Sequence, residues 1–192
     1  MTPLSAKPKP EITYWNGQRI VEKRAKSGLS RQLLENELQS MQRLSGLNAP
    51  RVLNVERQQD MLIVRRELII GSPLSQVSVD LWPTLLKQLA DIITLVHAKG
   101  LIHGDLKPAN LIVNGSTITP VDWEHALEIG QPVADLPFRA VSIGTSDPRL
   151  IWGKGTVSEA FDLYSIARMS DATTPGSVAK FNGNPSAQVH CA

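Results

Sequence analysis

"HGDLKPANLIV" at residues 103–113 and "VDWE" at residues 121–124 are the two stretches whose joint reading decides the fold. The first packs a histidine, an acid, a lysine, a proline and an asparagine into eight residues, a mixture that neither a plain helix nor a plain strand requires. Taken alone, Asp105 and Asn110 could be turn residues, since Asp and Asn readily bond nearby backbone groups. The wider spacing adds a second reading. Asp122 lies 17 residues after Asp105, beyond a strand-like run that turns at Asn114-Gly115, so a hairpin can return its carboxylate toward Asn110. Two oxygen ligands at the mouth of a sheet suit a hard divalent ion such as Mg²⁺, which takes a few carboxylate and amide oxygens together with phosphates. Asp105 is then a carboxylate beside the ion but not required by it, able to accept or orient a hydroxyl proton.

Upstream, "ITYWNGQRIVEKRA" (12–25) predicts two strands joined at Asn16-Gly17, the strongest short hairpin signal. From Ser30, Leu33, Leu34, Leu38, Met41 and Leu44 recur at helical spacing, with Gly46 as the stop. "RVLNVERQQDMLIVRREL" (51–68) predicts a second antiparallel pair turning near Gln58 to Asp60, and "GSPLSQ" a loop. Pro83 is a good first helical residue, and Leu85, Leu86, Leu89, Ile92, Ile93 and Val96 share one face before Gly100. Residues 125–155 carry scattered Gly and Pro and read as irregular, a length that is usually functional or disordered. A last helical pattern, "SEAFDLYSIARM" (158–169), follows.

In this setting the two opening stretches resemble the catalytic loop and metal-binding motif of the protein kinase-like superfamily, written H-R-D-L-K-x-x-N and D-F-G. The resemblance extends over residues 12–169 and implies an α+β, bilobal kinase-like fold with a shortened antiparallel N-lobe sheet and a truncated helical C-lobe. It is similar in extent to compact bacterial effector kinases. The resemblance implies a minimal kinase domain over 11–169, with N-lobe 11–70 and C-lobe 71–169, while the Pro- and Lys-rich residues 1–10 read as a flexible segment and 170–192, polar and without a period, as a mobile tail. Lys23 falls where kinases present a phosphate-pairing lysine, and Glu37, with Met41 and Leu44 behind it, where they place its glutamate partner. Glu35, on another face of the same helix, competes for that pair. "RELIIGSPL" (66–74) looks like the hinge, which puts Glu67 and Ile69 against the nucleotide. "IGTSDPRL" (143–150) is similar to the end of an activation segment, and in "FDLYSIA" (161–167) Asp162 would hold the catalytic-loop backbone.

The implied activity is ATP- and Mg²⁺-dependent transfer of phosphate to a protein serine or threonine. Asp105 would orient the hydroxyl, Asn110 and Asp122 would hold Mg²⁺, and Lys107 would touch the γ-phosphate and favour a protein substrate. His103 reads as a packed structural histidine. His97 and His125 have no metal-like spacing and read as incidental. Trp123 is expected in the core.

Several positions depart from the pattern. A G-x-G-x-x-G does not precede Ile12, which lowers the expected hold on nucleotide, since backbone N–H groups of that flap normally bind phosphates. Arg66 falls at the gatekeeper position, and Glu124 replaces the glycine of D-F-G. Gly104 replaces the arginine that senses loop phosphorylation in many kinases, so activity is expected without that switch. Two alternatives stay open: a small-molecule kinase of the aminoglycoside or choline type, for which "HGDL" and "VDWE" are good matches, and a pseudokinase-like binding module.

Composition sets outer bounds. An apolar share of 42% with 20% charged residues describes a globular chain, and a net charge of +2 gives no argument for nucleic acid. The single cysteine, Cys191, excludes an internal disulfide and fits a reducing compartment. Without a signal-like or membrane-length apolar run the expectation is a cytoplasmic protein, or an effector delivered by another route, with no membrane contact. The oligomeric state is open.

Overall fold

The computed structural model describes residues 7–173 and divides them into two compact units. The first comprises the described residues up to Ile69 together with Asp122–Glu124, and the second runs from Ile70 to Val121 and resumes at His125. The tail expected over 170–192 and Cys191 lie wholly or largely outside the described residues, apart from the end of the last helix.

In the first unit β1 (Pro10–Trp15) and β2 (Gln18–Ala25) form the hairpin that Asn16-Gly17 predicts. Both turn residues have positive φ, 49° and 78°, which is the conformation a two-residue primed turn demands and which Asn and Gly adopt at least cost. After α1 (Gly28–Arg43) come β3 (Val52–Gln58) and β4 (Met61–Glu67), and the antiparallel sheet runs β1-β2-β4-β3. Central β2 is buried from Ile20 through Lys23, so its period-two alternation separates two polar groups. Glu22 faces one way, bonded to Arg24 Nε and Arg65 Nε at 2.6 Å each, and Lys23 faces the other, toward α1. Leu33, Leu34, Leu38 and Met41 supply the buried stripe of α1.

The second unit holds β5 (Ser72–Pro73), α2 (Trp82–His97), β6 (Leu101–Ile102), β7 (Leu111–Asn114), β8 (Thr117–Pro120), β9 (Leu127–Glu128), α3 (Pro148–Trp152) and α4 (Ala160–Asp171). β5, β7 and β8 form one small sheet and β6 with β9 another. The predicted stripe of α2 is buried from Leu85 to Val96. Ile102, Leu127, Val133, Leu136, Leu150, Val157 and Phe161 form one cluster, so the segment expected to be irregular is in fact pinned by β9, α3 and its own apolar residues. No helix among the described residues is long and apolar enough to cross a membrane.

Candidate functional site

Two groups of polar side chains are built, one in each unit. In the first, Lys23 Nζ donates to Glu37 Oε2 and to Asp122 Oδ1, both at 2.6 Å, and reaches Glu124 Oε2 at 3.5 Å. Lys23 and Glu37 are 2% and 1% exposed, so their charges are sustained by each other and not by water. Glu35 takes no part in this group and pairs instead with the exposed Arg57. Arg66, placed by sequence at a gatekeeper position, is buried, with Nε 3.4 Å from Glu37 Oε1, and its guanidinium donates to the Glu67 carbonyl at 3.3 Å. Glu67 also gives its N–H to the Arg51 carbonyl at 2.9 Å, whereas Ile69 lies just past the end of β4, half-buried.

Asp122 is held at φ 70°, a left-handed conformation that costs a non-glycine residue about 1 kcal/mol or more and is typical of functional positions. Burial alone would raise its carboxyl, but the charge of Lys23 and then of Lys7, with their hydrogen bonds, overcomes this and holds it far below the usual carboxylate range. Lys7 also pairs with Glu124, whose carbonyl accepts from Asn36 Nδ2 at 3.0 Å. Sequence reasoning missed both Lys7 and Glu124 as members of this group. One carboxylate oxygen from each of Glu37, Asp122 and Glu124 lies within 4.8 Å of the others, an all-oxygen set of the kind a hard cation takes. Trp123 is fully buried.

In the second unit Asp162, on α4, accepts the backbone N–H groups of His103 at 2.8 Å and Gly104 at 3.1 Å, and His97 Nε2 lies 3.0 Å from the same carboxylate. His97 is therefore a structural partner of this anchor, not the incidental residue the sequence suggested. His103 is fully buried, its Nε2 3.1 Å from the Val121 carbonyl and its Nδ1 accepting from the Asp105 N–H at 3.3 Å. Gly104 has φ 76°, and a Cβ there would stand 2.3 Å from the His125 carbonyl oxygen. The absence of an arginine at this position thus has a local cause, since no side chain fits. His125 is buried and meets Phe138 edge-on at 6.1 Å.

Asp105, 3% exposed, sits in the loop thus anchored. Its Oδ2 accepts from Lys107 Nζ at 2.7 Å and Asn110 Nδ2 at 3.1 Å, and its Oδ1 accepts from the Ser142 hydroxyl at 2.7 Å. Asn110 gives a second bond from Nδ2 to the Asp105 carbonyl at 2.9 Å. Both bonds use the amide nitrogen, which leaves the Asn110 oxygen as the atom that could serve a hard cation as a ligand. Asp105 is a buried, ionisable acceptor with a hydroxyl already on it, the arrangement a proton-accepting or hydroxyl-orienting group needs.

The RIO domain model matches residues 11–139. Among curated proteins the chain is 30% identical to Cyclin-dependent kinase G1 of Arabidopsis thaliana over 83 residues, covering 43% of this chain and 14% of that protein. It is 31% identical to Cyclin-dependent kinase 11 of Dictyostelium discoideum over 84 residues, covering 43% of this chain and 24% of that protein. The chain thus spans under a quarter of the length of these relatives, and the mixed α and β architecture with its antiparallel first sheet agrees with a kinase-like fold.

Proposed function

The chain belongs to the RIO domain family, a kinase-like fold, and from that premise we propose that it is an ATP- and Mg²⁺-dependent phosphotransferase acting on serine or threonine hydroxyls of a protein. The observation that carries the reading is Asp105, a buried carboxylate in a loop fixed by Asp162, already receiving a hydroxyl at 2.7 Å. In this reading Asp105 orients the acceptor hydroxyl and takes its proton. Lys23, kept in place by Glu37, meets the α/β-phosphates, while Glu67 and Ile69 lie along the nucleotide. Lys107 contacts the γ-phosphate. Asn110 and Asp122 hold Mg²⁺, which when bound supplies charge neutralisation for the phosphates. Phosphoryl transfer asks a protein mostly for positioning and electrostatics, so rigidly held charges of this kind are what the reaction needs. The substrate class rests on Lys107, a residue that Ser/Thr kinases carry two positions after the catalytic aspartate.

The test is incubation with γ-labelled ATP and Mg²⁺, offering generic protein, a panel of small alcohols, or no acceptor. Label in protein that disappears with Asp105→Ala supports the proposal. Label confined to small alcohols would move the assignment to a small-molecule kinase, and nucleotide binding without any transfer would move it to a binding module.

A further inference from the structure

Two ammonium groups share the carboxylates of Asp122 and Glu124. Lys23 takes one oxygen of each, Asp122 Oδ1 at 2.6 Å and Glu124 Oε2 at 3.5 Å. Lys7 takes the other oxygen of each, Asp122 Oδ2 at 3.1 Å and Glu124 Oε1. Their footings differ. Lys23 belongs to the central strand β2, is 2% exposed and is paired with Glu37. Lys7 precedes the sheet, whose β1–β2 ladder begins with Pro10 opposite Lys23, and its side chain keeps 36% exposure. Neither Pro8 nor Pro10 has an N–H with which to extend that ladder, so Lys7 can leave without breaking the sheet.

Charge gives the contact a consequence. The carboxylates of Glu37, Asp122 and Glu124 face three cations, Lys23, Arg66 and Lys7. Withdrawal of Lys7 leaves one negative charge unanswered in a group largely shut off from water, which is a demand for another cation. Asp122 Oδ1 is taken by the buried Lys23, so Oδ2, the oxygen under Lys7, is the one an incoming ion can reach. An ammonium and a divalent cation on that single oxygen repel each other, and a hard ion tolerates little distortion of its ligand geometry. Resting on the reading above that Asp122 takes Mg²⁺, we propose that Lys7 is an internal competitor of that ion. The segment before β1 lays its ammonium on the oxygen the ion needs, and the site accepts the ion as Lys7 withdraws. The coupling is reciprocal: whatever draws the segment away raises the affinity for the ion, and the ion releases the segment.

The experiment measures Mn²⁺ binding to the full chain by electron paramagnetic resonance of the free ion, with a non-hydrolysable ATP analogue present, so that no turnover is needed. Lys7→Gln should bind Mn²⁺ on the order of tenfold more tightly, the factor by which an occupant in place about nine-tenths of the time weakens its competitor. Lys7→Arg keeps a cation and should bind like the unaltered chain, as should Lys9→Gln, which alters an exposed lysine two positions on. A second readout needs no variant to fold. Reductive methylation of Lys7 in the unaltered chain, mapped by mass spectrometry against the exposed Lys154, should be faster with Mn²⁺ and the analogue than with the analogue alone. Unchanged or weaker Mn²⁺ binding in Lys7→Gln overturns the proposal, as does Lys7 methylation indifferent to the ion. Tighter binding in Lys7→Gln without labelling of any acceptor by ATP leaves the competition standing and sinks the phosphotransferase reading alone. Mn²⁺ bound by neither the unaltered chain nor Lys7→Gln removes Asp122 as a cation ligand, and this inference falls with it.

Discussion

Asp162 accepts the backbone N–H of Gly104 at 3.1 Å across 58 positions of sequence, and the same carboxylate takes the N–H of His103 and meets His97. One buried acid therefore satisfies donors that have no helix or ladder to serve them. Removing it by Asp162→Ala orphans those groups at roughly 1–3 kcal/mol each, so the loss should reach about 3 kcal/mol or more. Asp162→Asn keeps the shape but offers one acceptor oxygen where two are used, and should cost less. Urea unfolding midpoints of the two variants check the order, and equal midpoints would argue against the anchoring role.

Gly104→Ala should be destabilising for two independent reasons. The residue sits at φ 76°, and its new Cβ would be driven to 2.3 Å from the His125 oxygen. A left-handed alanine costs about 1–2 kcal/mol and an overpacked contact about 1–3, so a loss of roughly 2–5 kcal/mol is expected. For a chain of this size about 2–4 °C of melting temperature accompanies each kcal/mol, which calorimetry resolves.

Much of this fold was legible because local rules and tertiary structure agree. Asn16-Gly17 and Asn114-Gly115 made their hairpins, and the stripes of α1 and α2 are the faces that became buried. Asp105, Asn110 and Asp122 could be singled out because a polar cluster between apolar runs is unusual. Other partners left no such trace. Lys7 meets Asp122 over 115 positions, and nothing periodic marks a lysine in a Pro-rich stretch. Ser142 falls in a segment with no period, and its hydroxyl meets Asp105 across 37 positions. His97 carries no metal-like spacing to mark it, and its partner is a carboxylate 65 positions away.

The two glutamates of α1 should separate cleanly on substitution. Glu37→Gln removes the charge that balances a buried lysine and should cost about 3–5 kcal/mol, as breaking one side of a buried pair does. Glu35 pairs with Arg57 at the surface, and Glu35→Gln should cost under about 1 kcal/mol. Nucleotide affinity should follow the same order. Denaturation curves and nucleotide titrations on both variants test it, and a Glu35 effect matching that of Glu37 would refute the assignment.

Acid should destabilise the protein in a defined window. Lys23 and Lys7 keep the Asp122 carboxyl ionised far below its ordinary range, and Arg24 with Arg65 lower Glu22 against the opposing effect of burial. Above the ordinary carboxylate pKa of about 4 both folded and unfolded chains are ionised there, and stability is insensitive to these groups. As pH falls below about 4 the unfolded chain takes up protons that the folded one refuses, so stability declines. Asp122→Asn should make that decline shallower, measured as the urea midpoint between pH about 3 and 6. An unchanged slope would mean that Asp122 is not held as described.

Asp105→Asn separates chemistry from binding. The amide oxygen can still accept from Lys107 or Ser142, so the loop should hold its shape, but the side chain can no longer take a proton. A loss of about 10²–10⁴-fold in kcat is expected for a group acting as a general base. Nucleotide affinity should change little, because Lys23, proposed to meet the α/β-phosphates, and Glu37, which keeps it in place, lie on β2 and α1 and make their ion pair without Asp105. Single-turnover transfer together with equilibrium nucleotide titration reads the two effects apart. A variant that lost affinity and rate in proportion would place Asp105 in binding, and would leave proton transfer to some other group.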